Sequence, residues 1–190
     1  MGSAFRRTTG GGVTATFQPG EVDLLRSLVT QLLELLSLED ESATDPADPL
    51  ANLTIEGPRE RPRDPVLARL FPDAYADDPE AAGDFRRFTE RGLRSGKTAD
   101  ATTVLDTLAA TDPTKDRVRL RLDRDAAHAW MRTLTDLRLA LGTRLGVEEN
   151  DEARWLALPA DDPLRYVHDV YDWLGWLQET LVRAVAGGRR

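Results

Sequence analysis

The chain contains no cysteine. That absence excludes disulfides, thiolate nucleophiles, zinc sites of the thiolate type and thiol redox sensing. Sulfur is confined to Met1 and Met131. Histidine is almost as scarce: His128 and His168 lie far apart, and neither has a second histidine four residues away. A metal centre or an acid–base pair would therefore have to be assembled from distant carboxylates, so no metal and no cofactor are expected. Lys97 and Lys115 are the only lysines, which leaves arginine to carry the positive charge. No run of about 18 apolar residues is present, so no membrane span and no membrane partner are expected. The opening MGSAFRRTTGGG lacks the apolar core of a secretory signal. It also has Arg6 where myristoylation requires Ser or Thr. The expected location is the cytoplasm.

What is present is ordinary for a soluble globular protein: 190 residues, 41% hydrophobic and 31% charged. That length suits a single domain over residues 1–190. The net charge of −8 opposes general binding to nucleic acid or anionic membrane, because affinity for polyphosphate rests on clustered cations.

Along the chain, Gly10, Gly11 and Gly12 separate two short runs, and Val13, Ala15 and Phe17 alternate with Thr14 and Thr16. The pattern predicts a β-hairpin. A helix is predicted over 21–38, with Val22, Leu25, Leu28, Val29, Leu32, Leu33 and Leu36 on one face. Residues 39–64 are rich in Pro and Asp and have no sustained period, which reads as a flexible insert in which Leu50, Leu53 and Ile55 dock locally. A short helix over 65–71 follows. Asp78 and Pro79 form a cap-then-proline start for a helix to about Leu93, with a break near Ser95 and Gly96 and a second helix from Thr98 to Leu108. RVRLRL over 117–122 alternates strictly, as a strand with Val118, Leu120 and Leu122 inward does. Asp123 caps a helix whose stripe is Ala127, Trp130, Leu134, Leu137, Leu141 and Leu145, ending at Gly146. Asp162 and Pro163 open the last helix, with Val167, Val170, Tyr171, Leu174, Leu177, Leu181 and Val185 aligned. The expected fold class is α+β and mostly helical: a small antiparallel sheet, made of the hairpin plus the strand near 117–122, packed against five to six helices.

Catalytic signatures are missing. Gly96-Lys97-Thr98 resembles the end of a phosphate-binding loop, but Arg91 stands where its first glycine belongs and no strand precedes it. The Gly10 to Gly12 run leads into a strand, not a helix N-terminus, and reads as a turn. Acidic pairs such as Asp77-Asp78 and Asp161-Asp162 precede helices and act as caps. No G-x-S-x-G turn occurs. An enzyme is not expected.

Binding surfaces are the better candidates. Trp176 falls opposite the apolar stripe of the last helix, among Arg165, Asp169, Asp172 and Arg183, and with Trp173 it is a candidate protein-interaction site. Arg87, Arg91 and Arg94 are spaced i, i+4, i+7 opposite Phe85 and Phe88. Arg117, Arg119 and Arg121 line the outer side of their strand. Both stripes read either as solvated faces paired with the many carboxylates or as contacts to an acidic partner or DNA. A helix pair about Ser95-Gly96 followed by a basic strand is faintly similar to a helix-turn-helix, which keeps a DNA-binding regulator as the alternative function.

Two segments, DLRLALGTRLG over 136–146 and DVYDWLGWLQETL over 169–181, resemble an actinobacterial family catalogued as a domain of unknown function. Arg6-Arg7 with the hairpin, and FRRFTERGLRSGK over 85–97, fit the same pattern. The resemblance implies transcriptional regulation under oxidative stress, and genes placed beside those for the Clp-protease adaptor and carrier-protein cysteine synthesis. It implies no catalytic residues. It points to a sigma factor, RNA polymerase or a Clp component as protein partner, bound without any cysteine switch.

Overall fold

The computed structural model describes residues 3–37, 57–112, 115–149 and 151–187. Residues 39–56 of the expected insert, with Leu50, Leu53 and Ile55, lie outside the described residues. Its remainder, 57–64, runs against a long helix, where the Gly57 amide donates to the Arg87 carbonyl at 2.7 Å.

Three strands open the architecture: β1 (Ser3–Arg7), β2 (Val13–Phe17) and β3 (Val118–Leu122). They form one antiparallel sheet in the order β1-β2-β3. The turn between the first two uses Gly11 at a φ of 86°, which glycine adopts without strain. A Cβ at Gly12 would meet the Leu122 carbonyl oxygen at 2.7 Å, so the hairpin and β3 approach too closely there for any side chain. Period-two alternation sends Phe5, Val13, Ala15, Phe17, Val118, Leu120 and Leu122 inward, all buried.

Six helices are described: α1 (Pro19–Ser37), α2 (Pro65–Leu70), α3 (Pro79–Ala109), α4 (Arg124–Leu145), α5 (Glu152–Leu156) and α6 (Pro163–Ala186). The expected caps form. Asp64, Asp78, Asp123 and Asp162 each accept backbone N–H bonds with their side chains, and Gly146 closes α4 in the left-handed region. The fold class is α+β and mostly helical, as expected.

The core centres on Trp130 of α4, which is fully buried. Its ring stacks on Phe17 at 6.3 Å and meets Phe5 edge-on at 5.8 Å. Its indole N–H donates to Thr107 Oγ1 of α3 at 2.9 Å, satisfying the one polar atom a buried tryptophan brings inside. Helix α6 crosses α4 and runs under β1, where Thr180 Oγ1 accepts the Phe5 amide at 3.2 Å. Close approach of α4 and α6 is set by Gly142 and Gly175, whose missing side chains leave room for Tyr171 and Arg138.

Two expectations are corrected. The helix break near Ser95 and Gly96 is absent: α3 runs unbroken for 31 residues. One interior glycine costs a helix only about 1 kcal/mol, and the contacts of Arg94 and Lys97 on either side hold the backbone helical. Helix α5 was not foreseen, because five residues carry no readable period. It is fastened by Trp155, which is buried and stacks on His168 at 4.5 Å.

Candidate functional site

The N-terminal half of α3 is turned inside out. Beside Ala82, its buried residues are the charged Arg86, Glu90 and Arg94, at 5%, 1% and 6% exposure, whereas Phe85 and Phe88 stand 44% and 68% exposed. Glu90 is the pivot of the buried set. One carboxylate oxygen accepts from Arg86 at 2.8 Å and the other from Arg94 at 2.7 Å. Arg86 also donates to the Phe71 carbonyl and pairs with Asp73. Arg94 donates to the Leu36 carbonyl at the end of α1 and lies over the Phe71 ring at 4.6 Å. Burial acts against the Arg86 charge, but its bonds to Glu90 and Asp73 outweigh that and raise its pKa above the ordinary arginine value.

The same logic continues toward the sheet. Lys97 donates to Asp136 of α4 at 2.6 Å, and Arg132 grips Asp100 through two nitrogens. Burial pushes the Asp136 carboxyl up from the usual carboxylate range, and Lys97 offsets only part of that push. Lys97 therefore clamps α3 to α4 from within a continuous helix, far from the geometry of a phosphate loop.

The arginine stripe on α3 is split by this arrangement. Arg94 is an interior residue, Arg87 is half-buried and Arg91 is exposed. The three are not brought together as one surface, and the expectation that Arg94 faces an acidic partner or DNA is corrected. The helix-turn-helix likeness also loses its turn. Arg119 and Arg121 are exposed on the outer side of the sheet, as their alternation requires, whereas Arg117, also exposed, precedes β3 and lies outside its pairing, which corrects the expected start of the strand.

On α6, Trp176 is 39% exposed on the charged side of the helix, while Trp173 is half-buried against the core. Phe85 and Phe88 were expected on the face opposite the arginine stripe; sequence reasoning did not foresee that this face points to solvent. Tyr75, 51% exposed, packs edge-on against Phe85 at 6.0 Å and extends the patch. The signal available in the sequence was Glu90 between Arg86 and Arg94 at i±4 spacing, which lets one carboxylate neutralise two cations inside. Among the described residues, no group of histidines and carboxylates could hold a metal ion. His128 lines a groove with Arg7 and Met131, and His168 is stacked on Trp155.

A family model described as Domain of unknown function (DUF2017) matches residues 2–185. The chain belongs to this family. Among curated relatives, the "Putative oxidative stress regulator AosR" of Mycobacterium leprae (strain TN) is 39% identical over 88% of this chain and 79% of its own length. The "Oxidative stress regulator AosR" of Mycobacterium tuberculosis (strain ATCC 25618 / H37Rv) and of Mycobacterium bovis (strain ATCC BAA-935 / AF2122/97) are each 34% identical, covering 92% of this chain and 83% of theirs. No solved structure matches. The family resemblance read from 136–146 and 169–181 is thus borne out, and the relatives' names support a regulatory role. No helix among the described residues is long and apolar enough to cross a membrane.

Proposed function

We propose that this chain is a regulator in the response to oxidative stress, and that it acts by binding a protein of the transcription machinery, not by catalysis. The names of its relatives support the first half. The observation that carries the second is the outward aromatic face of α3, where Phe88 is 68% exposed beside Phe85 and Tyr75. Large rings grouped in water are costly to display and are a common mark of a protein interface. Their helix is anchored from behind by the Arg86–Glu90–Arg94 network, so the surface is presented rigidly. Trp176 supplies a second exposed ring on α6. With no cysteine in the chain, regulation here runs without thiol chemistry.

Affinity capture from nuclease-treated native lysate, with bound proteins identified by mass spectrometry, tests the reading. Retention of a sigma factor or RNA polymerase is the expected result. Recovery of Clp components in their place would move the function to proteolysis. Retention only when DNA is left intact would overturn protein binding in favour of the direct DNA-binding alternative.

A further inference from the structure

A second surface follows from the charge on the sheet. The three strands contain four arginines and no carboxylate, in a chain whose net charge is −8. Arg6, Arg119 and Arg121 are exposed, and among the described residues no ion pair or side-chain hydrogen bond engages them. That sets them apart from Arg86, Arg94 and Arg132, each held by a carboxylate. The register gathers them. Arg6 and Arg121 both lie opposite Thr14, one on each flank of β2, and Arg119 lies opposite Thr16. A bulge between Ser3 and Arg6 puts Phe5 inward and Arg6 on the outer face. The strand spacing places Arg6 about 10 Å from Arg121 across the sheet, and Arg119 about 7 Å from Arg121 along β3. Together with Ala4, Thr14 and Thr16 they line an open concavity of about 690 Å³.

We infer that this face is a docking site for an extended acidic segment of a protein partner, with carboxylates at alternate positions. An extended chain repeats its side chains on one face at about 7 Å, the same interval that separates Arg119 from Arg121. Guanidinium forks take carboxylates in bidentate geometry. Nucleic acid fits the face less well. Its outward positions carry no aromatic ring on which a single-stranded base can stack, no helix projects from it toward a groove, and the charge of the whole chain repels phosphate. None of the exposed rings of α3 and α6 lines this concavity, so the two readings rest on different residues.

The test is fluorescence anisotropy with three labelled probes at low salt: a peptide alternating Asp and Ser, a peptide of the same composition with its Asp residues clustered, and duplex DNA of mixed sequence. The alternating peptide is expected to bind best and to weaken as salt rises. The combined Arg6→Gln, Arg119→Gln and Arg121→Gln variant should lose about tenfold or more in affinity, the combined Arg→Lys variant should lose less, and Phe88→Ala should be unchanged. All three positions are exposed, so the glutamine variant should keep the denaturation midpoint of the parent. Equal binding by parent and glutamine variant, equal affinity for both peptides, or tighter binding of DNA would each overturn the proposal.

Discussion

Glu90 holds two guanidiniums at once, and the carboxylate and both cations are out of water. Such a triad need not add net stability over a well-packed apolar set, but removing one member leaves the others charged and under-satisfied. Glu90→Gln should therefore cost about 3–5 kcal/mol, read as a fall in the urea midpoint. A loss below about 1 kcal/mol would mean that water reaches the cluster. Asp136 makes a prediction of the opposite character. Its pKa is raised in the folded state by burial, so the folded chain holds its proton to higher pH than the unfolded chain does. Stability from this group is greatest below the unfolded carboxylate value and declines as pH rises from there toward the folded one. Asp136→Asn should remove that decline: the gap between the stability–pH curves of the two proteins should change as pH rises above the ordinary carboxylate range, with the parent losing ground. A constant gap, or one that moves the other way, would show that Lys97 dominates the carboxyl.

At the scale of elements, α3 is where sequence and structure part company. Ser95 and Gly96 read as a break, yet the backbone passes through both without a turn. A Cβ at Gly96 would meet nothing within 4 Å. Gly96→Ala should thus stabilise the protein by about 0.5–1 kcal/mol in thermal or urea unfolding. No gain, or a loss, would restore the interrupted helix. The other long helices were legible because each joins a capping residue to an apolar stripe: Asp123 with Trp130, Leu134 and Leu137, and Asp162 with Val170, Leu174 and Leu177. Strands β2 and β3 were legible from strict alternation, and β1 from the glycine turn that joins it to β2. What periodicity cannot show is which face of a helix goes inside when charges neutralise one another there. Arg86, Glu90 and Arg94 look like a solvated stripe until Asp73 and the carbonyls of Phe71 and Leu36 arrive from elsewhere in the chain. Trp176 was placed correctly on the outward side of α6. The outward position of Phe85 and Phe88 is the mirror of the buried arginines and was missed with them.

For the molecule as a whole, cations and rings are divided among surfaces. Interior arginines fix the position of α3, the three arginines Arg6, Arg119 and Arg121 share the outer face of the sheet, and exposed aromatic rings stand on α3 and α6. This division underlies our proposal that the protein works by meeting another protein and not by gripping DNA. The most direct check of that claim is one paired measurement on Phe88→Ala, with Trp176→Ala alongside: urea stability of the purified variant, and retention of the transcription protein captured by the parent. We expect stability to stay within about 1 kcal/mol, because both rings are substantially exposed, while retention is lost. Undiminished retention by both variants would contradict the account, and so would a loss of about 3 kcal/mol or more, which would mark the rings as part of the core.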